Sequence, residues 1–287
     1  MKEAQYMHGS LQHVERIAAF SDGDVGGNPA GVWIGDTLPP DAEMAAVAHA
    51  VGFSETAFAA PRGEAWRVRY FSPESEVAFC GHATIALGAA LARRFGDGRF
   101  DLTLNAAQIS VEGRKEGERV AASLQSPPTR SSPAPAALVE AALALFGYTR
   151  ADLDARIPPA IAHGGNDHLV LALNSREALA RMYYELEAGR RLMNGHGLVT
   201  IVLAWAETPQ RFHTRNPFAS GGVLEDPATG AGTAAFAGYL RDIGWPHGGR
   251  IEVVQGEDMG MRSRLTAEIG DEPGSSIRVS GSARTMQ

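Results

Sequence analysis

Near the runs of small residues in this sequence stand four candidates for carrying a proton, Glu55, Cys80, His82 and Asp226, each in a stretch that ordinary core packing does not require. Cys80 leads into Gly81-His82-Ala83-Thr84, and Asp226-Pro227-Ala228 leads into Thr229-Gly230-Ala231-Gly232. Both runs open apolar stretches, residues 85–92 and 234–240, that read as helices apolar on most sides and therefore buried. The first turn of a helix leaves N–H groups unpaired and carries partial positive charge, so a start built of Gly, Ala and Thr exposes those donors to an anion. If both starts face one cleft, they hold a carboxylate or phosphate. They also stabilise the negative charge that develops when a proton leaves a carbon beside a carboxyl group. The expected chemistry is proton transfer on a small carboxylic acid, with neither metal nor cofactor.

Each of these residues also has a plain structural reading. On local sequence alone Glu55 is a surface residue at a strand end. Cys80 packs as a small hydrophobe, since no base is evident beside it. His82 caps the helix start or satisfies a carbonyl, and Asp226 before Pro227 fits an N-cap with proline in the first turn, a role compatible with placing substrate. His163, His168, His196, His213 and His247 form no His-x-x-x-His or His-Glu pair on a helix, so no metal site is expected. Gly164-Gly165 and Gly221-Gly222 lack the strand-turn-helix setting of a nucleotide loop and read as turns.

The elements that must hold these groups follow from pattern. Strands are expected over residues 14–20, 32–34, 54–58 and 66–71, and a helix after Pro39-Pro40-Asp41 buries Met44, Val47, Ala48 and Val51 before Gly52 stops it. Short strands follow around residues 102–104, 109–111 and 120–124. Residues 126–135 hold four prolines, which disfavours helix interiors and central strands and marks a boundary. Two domains are therefore expected, 11–126 and 134–287, with the C-terminal tail free to return to the first; the first ten residues, with His8-Gly9-Ser10, are read as a frayed terminus without function. Beyond the boundary, Asn174 with Glu177 is expected to cap a helix carrying Leu179, Met182, Tyr183 and Leu186. Each half runs strands, small-residue loop, buried helix, more strands, a weak internal duplication. The fold class expected is α+β, two similar domains, each a curled, mostly antiparallel sheet around a central buried helix.

The 287 residues, 44% hydrophobic and 21% charged, suffice for two ordinary cores. A net charge of -7 with scattered basic residues argues against a nucleic-acid partner. Neither a signal peptide nor an apolar run of about 18 residues is evident, so a cytoplasmic protein with no membrane partner is expected.

Five strings, in order along nearly the whole chain, resemble the PhzF-like phenazine-biosynthesis family of the diaminopimelate-epimerase fold: Asn28-Pro29-Ala30-Gly31-Val32, Ser54-Glu55-Thr56-Ala57-Phe58, Phe79-Cys80-Gly81-His82-Ala83-Thr84, Glu225-Asp226-Pro227-Ala228-Thr229-Gly230 and Val254-Gln255-Gly256-Glu257-Asp258-Met259-Gly260. The resemblance implies a cofactor-independent isomerase, a homodimer, and an active site between two domains. It implies Glu55 as the acid/base, with His82 and Asp226 lining the site, and places Asn28, Gly81, Ala83, Thr84, Thr229, Gly230, Ala231 and Gly232 against substrate. Ala231 departs from the family, which often has Ser there, with a hydroxyl able to touch substrate. The single cysteine separates the chain from diaminopimelate epimerases, which resemble this fold and use two thiols. One carboxylate carrier would return a proton to the same face of the substrate, a shift rather than an inversion. The alternatives are a non-catalytic small-anion binder, or an epimerase or dehydratase using Glu55 with His82.

Overall fold

The computed structural model describes residues 11–117 and 119–287, so the expectation for the first ten residues lies outside the described residues. The chain divides into two compact units, one running to Gln125 and taking back Ser280–Gln287, the other Ser126–Val279.

The first unit contains β1 (Val14–Ala19), β2 (Asn28–Ile34), helix α1 (Asp41–Val51), β3 (Thr56–Arg62), β4 (Ala65–Phe71), β5 (Glu76–Val77), α2 (Gly81–Phe95), β6 (Gly98–Thr103), β7 (Gln108–Glu116) and β8 (Arg119–Pro128), whose last residues pass into the second unit. Helix α1 buries Met44, Val47, Ala48 and Val51 against Phe58 and Phe71, and Gly52 ends it in the left-handed conformation, as the sequence predicts. Helix α2 is the core: every residue from His82 to Ala92 is buried, and it packs on β1, β2, β3, β6 and β7. Such close seating requires glycine on both partners. A Cβ on Gly113 of β7 would lie 2.4 Å from the Gly88 carbonyl, and one on Gly88 would lie 2.4 Å from Val111 Cγ2.

The second unit contains β9 (Arg130–Pro133), α3 (Ala136–Phe146), β10 (Ala160–His163), β11 (Asp167–Leu173), α4 (Arg176–Ala180), α5 (Leu186–Gly195), β12 (Thr200–Thr208), β13 (Arg211–Phe218), β14 (Val223–Asp226), α6 (Gly230–Asp242), β15 (Arg250–Gln255), β16 (Ser263–Glu268) and the start of β17 (Ser276–Thr285), which crosses into the first unit at Ser280. Here α6 is the buried helix. A Cβ on Gly164 would lie 2.7 Å from the Ala235 nitrogen, and one on Gly238 would lie 2.6 Å from Thr129 Oγ1, the same device again.

The internal duplication, weak in sequence, is plain in topology. In the first unit the pairings β1/β2, β2/β3, β3/β4, β4/β6 and β6/β7 run antiparallel, parallel, antiparallel, parallel, antiparallel. In the second, β10/β11, β11/β12, β12/β13, β13/β15 and β15/β16 repeat that order. In each unit the buried helix fills the second parallel crossover.

Several local expectations are corrected. The proline-bearing stretch 126–135 is largely strand: its first residues end β8, and β9 pairs through residues 130–133 with β10. Strand β2 begins at Asn28 rather than at residue 32, since Asn28 and Pro29 pair with Ala19 and Ala18. The helix expected after Asn174 is capped instead by Ser175, whose hydroxyl accepts the Ala178 N–H, and it breaks after Ala180; Glu185 caps a separate helix. Among the described residues no helix is long and apolar enough to cross a membrane.

Candidate active site

Strand β4 and helix α2 build the first helix start together. Thr84 donates its hydroxyl back to the Cys80 carbonyl at 2.7 Å, so the buried Tyr70 hydroxyl, 2.6 Å away, donates to Thr84. Burial lifts the Tyr70 phenol well above its ordinary range, which keeps it a neutral donor. The Thr84 N–H also bonds the Cys80 carbonyl, at 3.0 Å. Thr84 is fully buried with both groups committed, which corrects its assignment to substrate contact; Ala83, equally buried, can offer only its backbone N–H. Gly81, His82 and Ala83 precede the first N–H of α2 to find a carbonyl one turn back.

Glu55 immediately precedes β3, and its carbonyl accepts the Gly31 N–H at 3.1 Å. That register needs glycine, since a Cβ on Gly31 would lie 2.6 Å from Thr56 Oγ1. The Glu55 side chain is 14% exposed, and its Oε2 lies 3.4 Å from Nε2 of His82, whose side chain is 8% exposed. Ser54 Oγ is also 3.4 Å from Nε2, and Cys80 Sγ is 3.4 Å from Nδ1. The structure therefore brings Glu55, Cys80 and His82 together, so the expectation that Cys80 has no base beside it is corrected: the imidazole two residues on is that neighbour. A search for histidine pairs along one helix could not find this group, because its members come from a strand edge and a helix start. Asn28, at the head of β2, is buried in the same unit.

The second helix start is organised by hydrogen bonds. Thr229 is the N-cap of α6, and its hydroxyl donates to Asp226 Oδ2 at 2.6 Å. Fully buried Gln255, at the end of β15, accepts the Thr229 N–H at 3.1 Å and donates to Thr229 Oγ1 at 3.0 Å and to the Asp226 carbonyl at 2.6 Å. Because the Thr233 N–H is the first to bond within the helix, to Thr229 at 2.9 Å, the donors of Gly230, Ala231 and Gly232 precede it. Asp226 ends β14 and does not cap α6, and Pro227 lies outside the first turn; both points correct the N-cap reading. Sequence reasoning missed two residues that hold Asp226. Gln255 was visible only inside the string Val254-Gln255-Gly256. Arg215 on β13 grips Glu225 through two bonds of 3.0 and 2.6 Å, fixing the strand that carries Asp226. Gly256 has φ +73°, and a Cβ there would meet the Pro227 carbonyl at 2.8 Å, so the loop can close on Gln255 only with glycine.

The chain was also compared with known proteins. The profile of a family described as phenazine biosynthesis-like protein matches residues 17–287. A trans-2,3-dihydro-3-hydroxyanthranilate isomerase of Pseudomonas fluorescens is 31% identical over 279 residues, covering 94% of this chain and 95% of that one. A Pseudomonas aeruginosa protein of the same name is 31% identical over 274 residues, covering 92% and 94%. Among solved structures, a phenazine biosynthesis protein of the PhzF family from Bacillus anthracis superposes with a TM-score of 0.84 at 22% identity, covering 96% of both chains, a likeness of fold.

Proposed function

Since the chain belongs to the phenazine biosynthesis-like protein family and is an isomerase, we propose that it moves a proton between carbons of a small carboxylic acid, with Glu55 as carrier. The observation that carries this reading is the Glu55 carboxylate, 14% exposed and 3.4 Å from His82 Nε2 beside a helix start. Glu55 takes the proton as a base and returns it as an acid. His82 orients the carboxylate and shares its proton, and the α2 donors of Gly81, His82 and Ala83 face the charge that builds on the substrate. Asp226, held by Thr229 and Gln255, orients the substrate's polar groups rather than carrying the proton.

The compound to try first is the one named for the Pseudomonas relatives, trans-2,3-dihydro-3-hydroxyanthranilate, followed by other unsaturated or hydroxylated carboxylic acids. Purified protein is incubated with each acid, and the carbon framework is followed by NMR. Appearance of an isomer with shifted carbon-bound hydrogen supports the reading. Binding of these acids without any change at carbon would defeat it and favour the anion-binding alternative, with which Ala231 in place of a hydroxyl is compatible.

A further inference from the structure

Glu55, Cys80 and His82 present three different ligand atoms to one another, all within 4.8 Å. Nε2 of His82 is 3.4 Å from Glu55 Oε2 and 4.0 Å from Cys80 Sγ. A tetrahedral zinc ion, bound at about 2.0–2.3 Å to nitrogen, oxygen and sulfur, sets neighbouring ligand atoms roughly 3.3–3.6 Å apart. The His82–Glu55 pair already stands at that spacing, and Cys80 Sγ, 4.0 Å from Nε2 and within 4.8 Å of both partners, closes on the ion by a side-chain rotation of about 1 Å. Cys80 is 8% exposed and His82 7%, so little water competes at the site. The partial positive charge of the α2 start opposes a cation, but the Glu55 carboxylate and the sulfur that gives up its proton on binding offset it.

We propose that Glu55, Cys80 and His82 form a site for a thiophilic divalent cation of the zinc and cobalt class, with the fourth position open, and that filling it stops turnover by engaging the carboxylate of Glu55. Binding replaces the Cys80 thiol proton with the metal and releases that proton to solvent, with no change of oxidation state. Sulfur and imidazole ligands select these ions over magnesium and calcium, which demand oxygen. The inhibition rests on Glu55 being the proton carrier; the binding does not.

Cys80 is the chain's single cysteine, so any thiolate signal belongs to it. Cobalt(II) titrated into the whole chain is expected to produce one equivalent of thiolate-to-metal charge-transfer absorption, bleached by zinc and absent in Cys80→Ser. His82→Gln and Glu55→Gln should each weaken cobalt binding by at least ~10-fold. In the unaltered protein, zinc should slow alkylation of Cys80 by at least ~10-fold, a readout that needs no variant to fold. Absence of the charge-transfer band together with unchanged alkylation overturns the site. A band that persists at unchanged affinity in both His82→Gln and Glu55→Gln also overturns it. Loss of turnover in Glu55→Gln without metal binding would leave the isomerase reading standing and remove only the site. Metal binding with undiminished turnover would instead count against Glu55 as carrier.

Discussion

The starts of α2 and α6 occupy the same point in the same order of strand pairings, yet their surroundings differ. Around the first stand a carboxylate, an imidazole and a thiol within 4.8 Å, all groups that can exchange a proton. Around the second, Asp226, Thr229 and Gln255 are tied to one another by bonds of 2.6–3.1 Å. Both units keep the glycine contacts that seat the helix and the backbone donors of its first turn. The scaffold repeats while the side chains around the two helix starts differ: ionisable groups in contact at the first, a hydrogen-bonded polar set at the second. Two histidines tell the same story. His82 sits among exchangeable partners, whereas His168, in β11, is sealed in the sheet with Nδ1 2.8 Å from Thr200 Oγ1, and burial pushes its pKa down to about 4.

That contrast can be broken at several points. His168 is neutral in the fold and protonates near 6.5 when unfolded, so its pKa is depressed by folding. Stability is complete above about pH 6.5 and falls by about 3 kcal/mol as pH drops toward 4. Urea unfolding across that window should show the slope, and His168→Gln should flatten it. Glu55→Gln should keep the fold and lower turnover at least ~100-fold; steady-state kinetics that leave it at full activity would erase the difference between the two helix starts. Gly113→Ala and Gly164→Ala each push a methyl into backbone of the buried helix and should cost about 2 kcal/mol in urea unfolding. A neutral Gly164→Ala would mean that the duplicated packing is only topological. The smallest effect is expected at Ala231→Ser, which adds one hydroxyl to the first turn of α6 and should raise turnover by no more than about 10-fold, one hydrogen bond's worth. Unchanged kinetics there would place the substrate away from this residue.

Much of this was legible in the sequence because it depends on local pattern. The apolar runs after Cys80 and Thr229 announced buried helices, and the order of elements announced the repeat. Pairing partners are not local, which is why the prolines at 127, 128 and 133 marked a boundary but hid the strands that run through it. At the site, local sequence left Glu55 a surface residue and His82 a cap, and the family resemblance alone grouped them; the structure sets their side chains 3.4 Å apart. The partner of Cys80 was hidden by treating the thiol in isolation, although His82 stands two residues away. Gln255 and Arg215 escaped because a positioning residue announces itself only through the atoms it touches. For Thr84, which the resemblance placed against substrate, the hydroxyl's partner is equally non-local: β4 brings Tyr70 to it.

The most direct test is isomerisation in deuterated water with stereochemical analysis of the product. A single carboxylate carrier predicts deuterium at the receiving carbon on the face from which the proton departed. Deuterium on the opposite face, or inversion at one carbon without a shift, would contradict Glu55 as sole carrier.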